Sequence, residues 1–357
     1  MKLTKLLLAL VSVAMISSCS MMKEDEDDTY CGLFVCFKYD YNLQRADMFK
    51  DHVGGVTLYV FDSDGRFIKT YEENNIPGMG TLLYDGSYAY CMKINDLRKG
   101  EYRFVALANQ KSYQETLAGT GAKYRRTDML ESYPNTALTV TLDREKVTGG
   151  KSLVSNAAPL DTLWHGMTGS EPIYVEPYHY STTTISLTRD TKMLTVGLHN
   201  LDDPTNISFD EFELFIVDNN GTLGYNNELL DDEDIVYTPF NAWDTKSLDG
   251  FGRMRDKTAH FCLTFNRLIW HDKADENALL IIRNKATGKE VAAINLTDFL
   301  AQGRNAYDTY AYSRQEYLDR SYDYYMDFFI KNDCWQFAEV RINVLSWSKR
   351  IQNVDLK

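Results

Sequence analysis

Cysteine, histidine and carboxylate are the residues that could assemble nucleophilic or metal chemistry here. The six histidines are His52, His165, His179, His199, His260 and His271. None forms H-E-x-x-H or any i, i+4 pair that could ligate zinc from one helix face. Neither a G-x-S-x-G elbow nor a phosphate-cradling glycine loop is present. His165, in Leu163-Trp164-His165-Gly166-Met167, reads as a structural residue. Asp62-Ser63-Asp64-Gly65 has the acidic spacing that opens a calcium loop, and Glu73 falls where its last ligand would sit. The intervening residues read as a strand, so a tight hairpin turn accounts for the motif better. Asp231 to Asp234 reads as a solvated charge run rather than a cation site. The sequence therefore predicts no catalytic residue, no cofactor and no bound metal.

The cysteines are Cys19, Cys31, Cys36, Cys91, Cys262 and Cys334. No C-x-x-C occurs among them. The first has a distinctive context. Lys2 and Lys5 precede an apolar run, Leu6 to Met15, and then come Ile16-Ser17-Ser18-Cys19. A basic start, a short apolar stretch and small residues at a cut define a secretory signal. The run is too short to span a bilayer, which takes about 20 residues. An aliphatic residue, two small residues and a cysteine resemble a bacterial lipobox. The resemblance implies cleavage between Ser18 and Cys19, a diacylglycerol on the Cys19 sulfur and a palmitoyl chain on its amino group. Each buried methylene adds about 0.8 kcal/mol, and stable anchoring takes more than one chain. An acylated Cys19 would thus hold an exported domain on a membrane without a transmembrane helix. Five cysteines remain. Export permits disulfides, but an odd count leaves at least one thiol free. Pairing among Cys31, Cys36, Cys91, Cys262 and Cys334 stays open.

Residues 20–30, SMMKEDEDDTY, read as an acidic solvated tether. A lysine followed by acidic residues just after the lipid cysteine resembles the surface-export signal of some Gram-negative lipoproteins. The formal charge is −13 over 357 residues, and removing Lys2 and Lys5 with the signal leaves −15. So acidic a chain argues against nucleic acid, which demands basic patches.

What must be positioned beyond the tether is a β-rich body. Tyrosine is common at 24, proline is scarce at 7, and apolar residues make up 44%. That bias favours pleated, half-buried surfaces. Alternation marks Gly32 to Tyr39, with Leu33, Val35 and Phe37 on one face. Gly55 to Asp62 follows, with Val56, Leu58 and Val60 on one face. Further strands are expected at Phe67–Tyr71, Tyr88–Ile94, Glu101–Asn109 and Ala137–Leu142. A second series runs through Thr182–Thr188, Met193–Leu201, Phe212–Asp218, Phe261–Phe265, Ala278–Arg283 and Val291–Leu296. Met326–Lys331 and Ala338–Leu345 close it. Helical pieces are expected at Arg45–His52 and Ser313–Arg320. Turn signals between short strands indicate sandwiches. The reading is all-β. It has a signal peptide at 1–18, a tether at 19–30, an N-terminal β-sandwich domain at 31–171 and a C-terminal one at 172–357, with short helical insertions.

Several phrases together resemble the FimB-type fimbrium anchor family, minor subunits of type V pili in Gram-negative bacteria. They are Cys31-Gly32 with Phe37-Lys38-Tyr39-Asp40-Tyr41-Asn42, then Val56 to Tyr71. Leu97 with Lys99-Gly100-Glu101-Tyr102 and Val105 to Asn109 come next. Leu163 to Met167, Ile185 to Arg189 and the C-terminal Ile342 to Leu356 complete the set. The resemblance implies two transthyretin-like β-sandwich domains in tandem. It also implies an outer-membrane lipoprotein that anchors the base of a fimbrium, regulates its length and is not an enzyme. Its partners would be fimbrial stalk or accessory subunits, met by β-strand addition. Stalk subunits of such pili are expected to lose an N-terminal segment to an arginine-directed protease. Arg45 shows no special context for that, and a retained lipid at Cys19 favours an anchor. The rival reading is a tip or surface adhesin that binds glycans, with Trp243, Trp270 and Trp335 as a sugar platform or, more ordinarily, as core. The Tyr307 to Tyr325 segment reads as core and rim.

Overall fold

A computed structural model describes residues 31–74, 81–82, 88–147, 151–176, 179–307, 311–342 and 347–352. Ser18, Cys19 and the acidic tether lie outside them. Within them the chain is all-β, with short helices between strands.

The first strand, Cys31–Lys38, lies inside a sheet. It pairs in parallel with Tyr180–Ser186 and antiparallel with Tyr88–Leu97, which carries Thr81–Leu82 on its far side. The facing sheet has the order Thr188–Arg189, Leu163–Met167, Gly100–Asn109, Gly55–Asp62, Phe67–Asn74. The two alternating sets expected from the sequence meet between these sheets. Leu33, Val35 and Phe37 face Val56, Leu58 and Val60 in one buried cluster with Trp164. Asp62 to Gly65 forms the hairpin turn of the second sheet. The Asp62 carboxylate accepts from Arg66 N at 2.8 Å, and Gly65 has φ +79°. That geometry favours glycine and leaves the motif a turn.

The second sandwich packs two six-stranded sheets. One has the order Asn241–Leu248, Met254–Phe265, Lys192–Asn200, Asp323–Lys331, Cys334–Ile342, Trp347–Gln352. The other has the order Glu290–Asn295, Leu279–Asn284, Phe212–Asp218, Ile235–Tyr237, Ser152–Leu153, Glu145–Lys146. The last two of these come from the first half of the chain. A three-stranded sheet likewise joins Tyr124–Arg126 and Thr139–Leu142 to Thr222–Gly224. The reverse face of the Gly55–Asp62 sheet, with Tyr59, Phe61, Val105 and Leu107, belongs to one buried cluster that continues through the second sandwich. The two halves are therefore joined through backbone pairing and a shared core.

Three expectations need correction. Ile173–Val175, Tyr180–Ser186 and Thr188–Arg189 all pair with first-half strands, and Ile185 and Leu187 sit in the first core. We place the division at Asp190–Thr191, not at 171/172. The helix expected over Arg45–His52 is reduced to Phe49–His52. Arg45 takes φ 52°, and the Asp47 carboxylate accepts from Tyr39 N and Phe49 N, each at 3.0 Å, so the preceding residues form a turn. The strand expected at Phe261–Phe265 begins at Met254 and forms a long hairpin with Asn241–Leu248. By contrast, Arg314–Arg320 is the expected helix, capped by Ser313 Oγ accepting from Glu316 N at 3.0 Å.

Candidate functional site

The chain that leaves the tether becomes Cys31–Lys38, so any pull on the N-terminus enters the fold there. That strand is bonded on both sides. Cys36 and Cys91 stand directly opposite each other in the antiparallel register and form a disulfide. Both side chains are buried. Cys262 and Cys334 are free thiols, and Cys262 is buried. Closing a loop of this length limits the unfolded ensemble by typically 2–4 kcal/mol. Replacing Cys36 and Cys91 together by serine should lower the unfolding free energy by about that much. Urea denaturation at fixed pH reads it, and an unchanged midpoint would contradict the role.

From this strand the chain reaches the seam between the sandwiches. Arg320 Nη1 donates to Asn42 O at 3.4 Å and its guanidinium lies 4.0 Å from the Tyr41 ring centroid. Arg45 Nε donates to Tyr312 Oη at 2.8 Å. Arg189 lies over the Tyr322 ring at 4.1 Å. Deeper in, Arg267 makes a two-pronged ion pair with Asp319, Nε to Oδ1 at 2.7 Å and Nη2 to Oδ2 at 2.8 Å. Lys192 is fully buried and donates to Asp319 O at 3.0 Å and Ser321 O at 2.8 Å. Asn227 donates to the buried Asp190 carboxylate at 2.9 Å. Burial pushes the Lys192 ammonium down from its ordinary value, opposed by Asp319, and pushes the Asp190 carboxyl up, opposed by Arg267. Residues 190, 192, 227, 267 and 319 thus form one desolvated charge network. Its evident role is to fix the seam.

His165 crosses the same seam. Its Nε2–H donates to Tyr225 O at 2.7 Å. Burial pushes its imidazole down to about 4, against an opposing backbone hydrogen bond. The unfolded chain therefore binds the extra proton first. Stability carried by neutral His165 is full above pH 6.5 and is lost as pH falls towards 4. Half-buried Asp218, raised to about 7 by desolvation, slopes the other way over an overlapping range. The informative quantity is thus the difference between wild type and His165→Gln, which keeps a donor. Wild type should lose about 3 kcal/mol more than the variant between pH 7 and pH 4. Parallel denaturation curves would exclude this.

Other sequence candidates are dispersed. Asp231 to Asp234 is not simply a solvated run: Arg144 forks onto Asp232 at 2.8 and 2.6 Å, and Glu233 accepts from Ser152 Oγ at 2.7 Å. Trp243 stacks on His260, Trp270 lies under Arg314, and Trp335 packs on Phe299 and Phe328. They form no common platform. Tyr312, Tyr317 and Tyr324 are core. A cleft of about 200 Å³ beside Ser63, Asp64, Arg103 and Tyr225 is smaller than an ordinary ligand site. Among the described residues no His, Cys, Asp and Glu cluster is arranged to hold a metal, and no helix is long and apolar enough to cross a membrane.

Residues 26–353 match the profile of the family described as fimbrillin-A associated anchor proteins Mfa1 and Mfa2. Among solved structures, a Bacteroides thetaiotaomicron protein provisionally described as polysaccharide binding is 29% identical. The similarity covers 90% of this chain and 99% of that one, with TM-score 0.69. A second protein of the same organism, provisionally described as an adhesin, is 27% identical over 91% and 99% of the two chains, with TM-score 0.71. The fimbrial anchor protein Mfa2 of Porphyromonas gingivalis shares the fold at 15% identity, over 91% and 100%, with TM-score 0.61. No curated protein sequence matches the chain significantly.

Proposed function

The chain belongs to the family of fimbrillin-A associated anchor proteins Mfa1 and Mfa2, and from that premise we propose that it holds the base of a fimbrium to the outer membrane and limits the fimbrium's length. Cleavage between Ser18 and Cys19 and acylation of Cys19 supply the membrane attachment. The acidic tether spaces the body from the lipid on the outer surface. Stalk or accessory subunits are met by strand addition, in which backbone hydrogen bonds give affinity and side-chain pockets give specificity.

The observation that carries this reading is the first strand. It follows the tether, lies inside a sheet, and is cross-linked through Cys36–Cys91. A nick after the exposed Arg45 would leave Cys31–Lys38 attached through that bond. Such a strand suits an anchor, which must keep its N-terminus under load, and not a subunit that sheds it.

The test is deletion of the gene in the native strain. Fimbriae should appear in the medium after gentle shear and should be longer than in wild type. Cells that retain fimbriae of normal length would end the proposal. The adhesin reading draws on the two Bacteroides neighbours, but the scattered tryptophans give it no platform. Saturable binding of the purified body to a glycan array without any fimbrial subunit would favour it.

A further inference from the structure

Load that enters at the N-terminus has two covalent routes through the first sandwich. Along the backbone it runs from Cys31–Lys38 straight into residues 39–48, the turn that grips both halves of the molecule. Tyr39 is fully buried in the first core. Asn42, equally buried, donates from Nδ2 to Tyr39 O and Ala46 O, each at 2.8 Å. Leu43 packs on the cluster that continues through the second sandwich. Arg320 meets Asn42 O and the Tyr41 ring, and Arg45 reaches Tyr312. A pull transmitted along this route draws on the seam itself.

The Cys36–Cys91 bond supplies the other route. It joins Cys31–Lys38 to Tyr88–Leu97 across a sequence separation of 55. Tension that arrives at Cys36 passes through sulfur to Cys91. Residues 37–90 are then a closed loop with no tension along its backbone. That loop contains the whole of the 39–48 turn and the hairpin of Gly55–Asp62 with Phe67–Asn74. Only residues 31–35 stand ahead of the bond. A bond made beyond residue 48 would leave the turn in the loaded path.

Two features keep the sulfur route intact. Cys36 is 1% exposed and Cys91 9%, and thiol exchange requires a thiolate to reach a sulfur. The receiving strand is also held by packing, because Met92, Ile94 and Leu97 belong to the first core.

We propose that Cys36–Cys91 is a load bypass. It routes tension from the tether around residues 37–90 and spares the contacts by which the 39–48 turn joins the two sandwiches. The source of the load rests on the anchor reading. The bypass is a mechanical role, separate from the equilibrium stabilisation that the same bond provides.

The test holds the mature chain by its two termini in optical tweezers, as wild type and as the Cys36→Ser, Cys91→Ser variant. Unfolding of the first sandwich in wild type should release about 190 Å less contour than in the variant, because the 55 residues stay enclosed at about 3.5 Å each. The serine variant should show an early step of about 60 Å, the withdrawal of residues 31–48, that wild type lacks. Arg320→Met, which removes the grip on Tyr41 and Asn42, should shorten the lifetime of that early step about tenfold at constant force. The first step of the disulfide-bonded chain should keep its lifetime within about twofold. Arg45→Met, a milder cut at the exposed end of the turn, should act in the same direction, and melting temperatures read alongside show that each variant is folded. An early 60 Å step in wild type would overturn the proposal. So would equal sensitivity to Arg320→Met with and without the disulfide, or no sensitivity in the serine variant. These readings need no fimbriae. If the deletion strain keeps its fimbriae, the anchor reading fails and the bypass stands or falls on the tweezers alone.

Discussion

A chain with Cys19→Ala is expected to leave the outer-membrane fraction and to take up no labelled palmitate. The thiol at position 19 is the only group in the Ile16-Ser17-Ser18-Cys19 stretch that could accept a diacylglycerol. Without it, signal cleavage in front of Cys19 loses its substrate and no free amino group arises for the third chain. One acyl chain gives marginal membrane binding, whereas two or more hold a protein stably at about 0.8 kcal/mol per methylene. Losing all of them removes the attachment outright instead of weakening it. An uncleaved signal could still retain some protein in the inner membrane, so the decisive readings are the palmitate label and the outer-membrane fraction. Persistence of both would refute lipidation at Cys19.

Arg267→Met should cost about 3–5 kcal/mol, the penalty for leaving a buried partner charge uncompensated. Arg267 and Asp319 side chains are 14% and 8% exposed, and the fork between them is saturated. Removing the guanidinium leaves Asp319 and Asp190 with Lys192 as the nearest buried cation, and withdraws the donor to Asn227 O. Urea denaturation should give a lower midpoint with an unchanged slope. Arg267→Lys should lie between, because an ammonium cannot reproduce the two-pronged contact. The double variant Arg267→Met, Asp319→Leu should recover much of the loss, since an apolar pair of similar volume is often neutral where a stranded charge is not. A loss below about 1 kcal/mol in the single variant would mean that the seam is not held this way.

The contrast between these two residues explains what could be read from the sequence. The expectation at Cys19 draws only on its sequence neighbours. The same holds for Leu33, Val35 and Phe37, whose alternation declares a core face, and for Ser313, whose cap announces a helix. The seam has no local signal. Lys192 meets the carbonyls of Asp319 and Ser321 more than a hundred positions away, and only the packed topology brings them together. Cys36 alternates away from the core face, so its burial and its pairing with Cys91 follow from a neighbouring strand. The Met254–Thr258 segment carries Arg255, Asp256 and Lys257, and it was not expected as a strand because it runs beyond the core that would impose alternation. That strands beyond residue 172 pair with the first half has a related reason. Glycine and proline near residue 172 mark turns, and turns occur inside a sandwich as well as between two.

The position of the chain on the assembled fimbrium is the central claim, and immunogold electron microscopy of whole cells with antibody to the body tests it most directly. The account predicts gold where each fimbrium meets the cell surface, and on the severed basal end of fimbriae sheared together with membrane. Gold along the shaft or at the free tip would contradict it.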